Sequence, residues 1–129
     1  MDKKTYVTEN FCREEFCVTS TGFFNVPSKA EWDNLYYGIK KLLQPLRERI
    51  GVPIIITSGY RTPEWNKKAG GAKYSYHMRG MAADIRVDGM TAKEIANKLN
   101  AIVPDECGII VYRSWVHLDV RTAKYRKGV

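Results

Sequence analysis

The feature that most restricts what this chain can become is a stripe of apolar residues, Trp32, Leu35, Ile39, Leu42, Leu43, Leu46 and Ile50, recurring at helical spacing. Its start and stop are both marked. Ser28 and Glu31 in "SKAE" form a capping box, in which each side chain satisfies a backbone donor of the other, and Gly51 ends the run. A helix with so long an apolar face must be covered, so the rest of the chain has to provide a second layer. Pro45 lies inside the pattern and lacks a backbone N–H, which predicts a kink or a break there.

The second layer reads as short strands. "VPIIITSGY" is a β-branched run ending in a turn. "MAADIRV" alternates, with Ala82, Asp84 and Arg86 on one face and Ala83, Ile85 and Val87 on the other. "CGIIVYRSWVHLDVR" reads as two strands around "YRSW", which places His117 and Asp119 on the same face. Between them, "TPEWNKKAGG" offers Thr62 as N-cap, Pro63 at the first helical position and a Gly-Gly stop. Thr91 with Glu94 opens a further helix over "TAKEIANKLNAI". Little room is left for crossover helices, so the expected fold is α+β with a mainly antiparallel sheet. Residues 1–27 show no sustained period and are expected to form an irregular arm, packed by Phe11, Phe16, Phe23 and Phe24 onto a single domain spanning residues 1–129.

A length of 129 residues with 44% hydrophobic content suffices for one core. There is no apolar run of membrane-spanning length and no apolar stretch following the charges of "MDKKTYVTENFCREEF", so neither a membrane partner nor a secretory signal is expected. Work outside the cytoplasm would then need another route of release. Lys and Arg outnumber Asp and Glu by 21 to 14, which favours anionic partners such as wall polymers, nucleic acid or membrane surfaces, or simply keeps the surface solvated. Charge is dense only in the tail "RTAKYRKGV", through Arg121, Lys124, Arg126 and Lys127. Without an aromatic-basic platform or a DNA-reading helix, no specific nucleic-acid partner is expected. Cys12, Cys17 and Cys107 form no CxxC pair and read as buried thiols.

The chain has two histidines, His77 and His117, and each has an aspartate close by in sequence, Asp84 and Asp119. A catalytic zinc site needs three protein ligands and an open position, and imidazole mixed with carboxylate is common. Spacing by itself is weak evidence, because a lone histidine is more often a hydrogen-bonded structural residue.

The surrounding motifs are more specific. "SYHMRGMAAD" fits the pattern SxHxxGxAxD, which resembles the signature of the zinc D-Ala-D-Ala carboxypeptidases, a family including vancomycin-resistance dipeptidases and many phage endolysins. "SGYRTPEWN" resembles the same family's substrate-side motif, and "WVHLDVR" resembles its last zinc-ligand strand. With "LLQPLRERIGVPIIITSGYR" ahead of them, these elements stand in the family's order over most of residues 35–121. The resemblance implies the fold shared with the hedgehog signalling domain, and zinc held by His77, Asp84 and His117.

Roles for the other residues follow from the same resemblance and from what each group can do. Arg61, charged and forked, can clamp a substrate carboxylate or steady a developing oxyanion. Ser75 can bond backbone or ligand in its turn, and Gly80 and Ala82 are small where the ligand loop returns to its strand. Trp115 can wall the cleft or belong to the core. Many relatives carry a catalytic Glu three residues before the final histidine, where this chain has Ser114. Asp119 is the nearest carboxylate, a candidate general base or else a partner that orients a ligand imidazole, with Glu106 more remote. The expected function is zinc-dependent hydrolysis of peptidoglycan stem peptides next to a D-amino acid, by a monomer made in the cytoplasm and released to the wall, as a phage or prophage lysin would be. The alternative keeps the fold and the zinc but not the chemistry, as a binding or structural module.

Overall fold

Ser28 and Glu31 open the first helix as the capping box requires: Ser28 Oγ accepts from the Glu31 N–H, and Glu31 Oε1 accepts from the Ser28 N–H at 2.8 Å. The computed structural model describes residues 5–17, 19 and 25–129. Helix α1 (Lys29–Gly38) continues through a π-helical segment, Ile39–Leu43, into α2 (Gln44–Ile50). Pro45 therefore does not end the helix. The turn ahead of it widens, the Gln44 N–H reaching back to the Ile39 carbonyl, and the backbone stays right-handed throughout. Gly51, at φ 72°, closes the run. Leu35, Ile39, Leu42, Leu43 and Leu46 are buried, with Trp32 and Ile50 packed at the margins.

Five strands form the covering layer: β1 (Ile55–Ser58), β2 (Ala82–Arg86), β3 (Gly108–Val111), β4 (Val116–Asp119) and β5 (Tyr125–Lys127), in the order β1-β2-β4-β3-β5. The first four pair antiparallel, while β5 runs parallel to β3. The fold is α+β with a mixed, mostly antiparallel sheet. β2 lies between β1 and β4 and is buried on both faces as far as Ile85, with Ala83 and Ile85 in the core. Helix α3 (Pro63–Lys68) begins at its Thr62 cap, and α4 (Ala92–Asn100) begins at the Thr91–Glu94 capping box and packs on β3 and β4.

The charge-dense tail forms the edge strand β5, and its Arg126 donates to the Cys107 carbonyl and to Asn100 Oδ1, both at 2.6 Å. The N-terminal arm holds a short 3-10 turn, Arg13–Cys17, with Phe11 and Phe16 in the core; Phe23 and Phe24 lie outside the described residues. Among the described residues no helix is long and apolar enough to cross a membrane. Cys12 and Cys107 are buried and Cys17 is half-buried, all with free thiols. Burial pushes all three upward, Cys17 to about 11, so none is a thiolate at neutral pH.

Candidate metal centre

The sheet register sets the centre. Asp84 on β2 is the cross-strand partner of His117 on β4, so their side chains leave the same face as neighbours. His77 arrives from a separate 3-10 turn, Tyr76–Arg79, that starts where Ser75 Oγ accepts from the His77 N–H at 3.2 Å. Gly80 ends that turn at φ 70°, and a β-carbon there would run into the Glu31 carbonyl of α1. Only glycine lets the loop lie so close to the helix. The Arg61 N–H to His77 carbonyl bond, 3.0 Å, ties the loop to the end of β1.

Asp84 Oδ1 lies 3.2 Å from both His77 Nε2 and His117 Nδ1. The other nitrogen of each ring is already committed. His77 Nδ1 is 2.7 Å from the Gly59 carbonyl, and His117 Nε2 is 2.8 Å from Asp119 Oδ2. A carbonyl and an ionised carboxylate can only accept, so both of those ring nitrogens carry the protons. In the neutral imidazoles the nitrogens facing Asp84 are therefore lone pairs. Three acceptors then converge, within 4.8 Å of one another, with no donor between them. Such an arrangement calls for protons or for a cation, and one carboxylate with two imidazoles is a zinc donor set. The residues fit the metal.

The charges agree. Burial raises the Asp84 carboxyl, but His117 and His77, which donate to it when protonated, outweigh burial and hold the group well below the usual carboxylate range. Asp119 is likewise raised by burial and held well below that range by Arg121 and His117. Burial lowers His117, yet the Asp119 and Asp84 carboxylates bring it above its ordinary value. Both carboxylates are thus ionised at neutral pH, ready for a cation.

The centre opens into a cavity of about 450 Å3 whose wall includes Arg61, Ser75, Trp115 and Arg121. Arg61 reaches Asp84 Oδ2 at 3.4 Å, while its Nε donates to Ser58 Oγ at 3.0 Å and its Nη1 to Asn66 Oδ1 at 3.3 Å. Trp115 stacks on Tyr112, with ring centroids 4.7 Å apart, and so forms a wall.

Asp119, expected as a general base or as a partner that orients a ligand imidazole, lies behind the His117 ring. Its side chain has no exposed surface and does not line the cavity. Both oxygens are engaged, Oδ1 by Arg121 Nε at 2.8 Å and Oδ2 by Arg121 Nη2 at 2.7 Å and by His117. It stands behind the imidazole and touches the nitrogen turned away from Asp84. That is the position from which a carboxylate orients an imidazole and fixes its tautomer. Glu106 and Ser114 are exposed and also lie outside the cavity wall, where Asp84 is the only carboxylate among the described residues.

Several residues were missed from sequence. Arg121 was counted with the basic tail, although its position two after Asp119 put it on the His117 face. Buried Asn66 holds Arg61 and, through Nδ2, the Ala72 carbonyl. Gly108 leaves room for the Asp119–Arg121 pair, which no local signal announces.

A family model described as Peptidase M15 matches residues 6–119. No curated protein sequence matches the chain.

Proposed function

The chain belongs to the M15 peptidase family, and from that premise we propose that it is a zinc-dependent peptidase hydrolysing peptidoglycan stem peptides next to a D-amino acid. The observation that carries this reading is the convergence of three acceptor atoms from His77, Asp84 and His117 at the foot of an open cavity. Those three residues would hold the ion. Bound zinc supplies Lewis acidity, bringing the pKa of water from ~16 towards ~7 and polarising a carbonyl.

The chain's own groups do the rest. Gly59 and Asp119 keep the two imidazoles in the tautomers that leave a lone pair for the metal. Arg61, braced by Ser58 and Asn66 beside Asp84, directs a cation to the place where a scissile carbonyl or a substrate carboxylate arrives. Ser75 and the Tyr112–Trp115 stack bound the cleft and orient the peptide. The formal charge of +7 suits an anionic wall polymer, reached after release from the cell in the manner of a phage or prophage lysin.

A second reading draws on one observation: among the described residues, Asp84, itself a candidate metal ligand, is the only carboxylate of the cavity wall. No carboxylate is left there to serve as general base. A binding module of the same fold would need none. Mass spectrometry of products from a defined wall digest separates the two. Peptide fragments released by the zinc-loaded protein, and abolished by chelation or by His77→Ala, support the peptidase and name its bond. Intact peptides from several wall types favour the binding module.

A further inference from the structure

Arg121 differs from the other guanidinium of the cavity in what it has left to offer. Each of the three nitrogens of Arg61 already makes one bond, to Ser58, Asn66 or Asp84, which leaves a second N–H on each Nη for substrate. Arg121 spends Nε and Nη2 on Asp119, and its Nη1 has no hydrogen-bond partner among the described residues. Its Cζ lies 4.4 Å over the Tyr125 ring and 4.8 Å over the Tyr76 ring, so aromatic packing and a buried carboxylate hold the fork rigid. Its side chain is 19% exposed, and it lines the cavity two hydrogen bonds from the His117 ring, through Asp119. An arginine already immobilised loses little further entropy when it takes a second ligand. Asp119 holds the fork from behind, and among the described residues no carboxylate other than Asp84, which is committed to the centre, lines the cavity to compete for Nη1.

We infer that Arg121 forms an anion subsite through Nη1, on the His117 side of the centre, that selects peptides carrying a free carboxylate near the scissile bond. The proposal deepens the peptidase reading and rests on it for the placing of the peptide in the cleft. A charge-assisted bond from a fixed guanidinium is about twice as strong as a neutral one, enough for roughly tenfold or more in affinity. Amidation of the recognised carboxylate removes that partner and leaves a cation facing a neutral group.

The test uses the zinc-loaded full chain with one synthetic stem peptide whose carboxylates are all free, and a set of twins each amidated at one carboxylate. Calorimetry measures binding and mass spectrometry measures cleavage. One twin is expected to bind roughly tenfold or more weakly than the parent, and Arg121→Gln should bring that pair to equal affinity while the other twins keep their ratios. A merely supporting role for Arg121 would weaken all the peptides in parallel and leave every ratio unchanged, which overturns the proposal, as does a set that binds equally or not at all.

Arginine-specific labelling of the wild-type chain with phenylglyoxal covers the case in which Arg121→Gln does not fold. The parent peptide should shield Arg121 and the critical twin should not, whereas identical labelling by both overturns the subsite. The peptidase reading fails separately. Selective binding without cleavage removes the hydrolase and keeps the subsite, and cleavage with ratios indifferent to Arg121→Gln does the reverse.

Discussion

Gly108 on β3 stands directly across from Asp119 on β4, and a β-carbon at Gly108 would lie 2.6 Å from both Asp119 carboxylate oxygens and from Arg121 Nε. Those atoms are the bonded fork of the Asp119–Arg121 pair, and all of them are buried or nearly so. A methyl group there must push the pair apart or push the strands apart. Gly108→Ala is therefore expected to loosen His117 and weaken zinc binding by about 10–100-fold, as losses behind a metal ligand commonly do. Competition against a chromophoric chelator checks this, and unchanged affinity in a folded variant would show that the pair does not govern His117.

Asp119→Asn puts the supporting role to a sharper test. The amide can still accept from His117 Nε2, but it loses its charge against Arg121, and breaking a buried pair costs about 3–5 kcal/mol. Zinc affinity and activity should fall together, along with a lower unfolding midpoint. Activity lost at full zinc occupancy would return Asp119 to the role of general base.

Metal content follows from the convergent acceptors. About one zinc per chain is expected by elemental analysis, with His77→Ala and His117→Ala each losing most of it. A chain that carries no transition metal after gentle purification, and takes up none on addition of zinc, would contradict the site.

The metal-free protein should be most stable at mildly acidic pH, and the sign follows from the individual groups. Asp84 and Asp119 lie below their ordinary value of 3.8 in the fold, so their stabilisation is present above that pH and is lost as pH falls through their folded values. His117 lies above its ordinary value of 6.5, so its contribution is complete below 6.5 and is lost as pH rises past its folded value. Urea titrations at pH 3, 5 and 8 should give the highest midpoint at pH 5. Zinc reverses the basic limb, because binding competes with the proton that His117 would otherwise take up, and the zinc-loaded protein should gain stability from pH 5 to pH 8. A metal-free midpoint that rises steadily to pH 8 would show that His117 does not hold its proton as described.

Much of the scaffold was legible because its signals are local. The capping boxes at Ser28 and Thr91, the Thr62–Pro63 start and the stripe from Trp32 to Ile50 depend on neighbours within a turn or two, and each forms as the pattern requires. The π-helical form of the Pro45 interruption and the parallel strand Tyr125–Lys127 were not legible. The first reflects how a long helix adapts without ending, and the second is a three-residue strand stabilised by a partner distant in sequence.

The site divides in the same way. The residue types of His77, Asp84 and His117, and the motif around the first two, could be read directly, since metal chemistry restricts which side chains can serve. What each neighbour does was decided by the sheet. Asp119, two residues from His117, is near it in sequence whatever the fold, but whether it meets substrate or stands behind the ring depends on which face of the imidazole looks into the cavity. Arg121 looks like tail charge until β3 and β4 pair and Gly108 leaves the gap it occupies. Sequence alone determined which groups were available and the short-range structure that carries them. Tertiary structure alone decided which lone pairs face one another, because hydrogen-bond direction is set by partners brought together from remote segments.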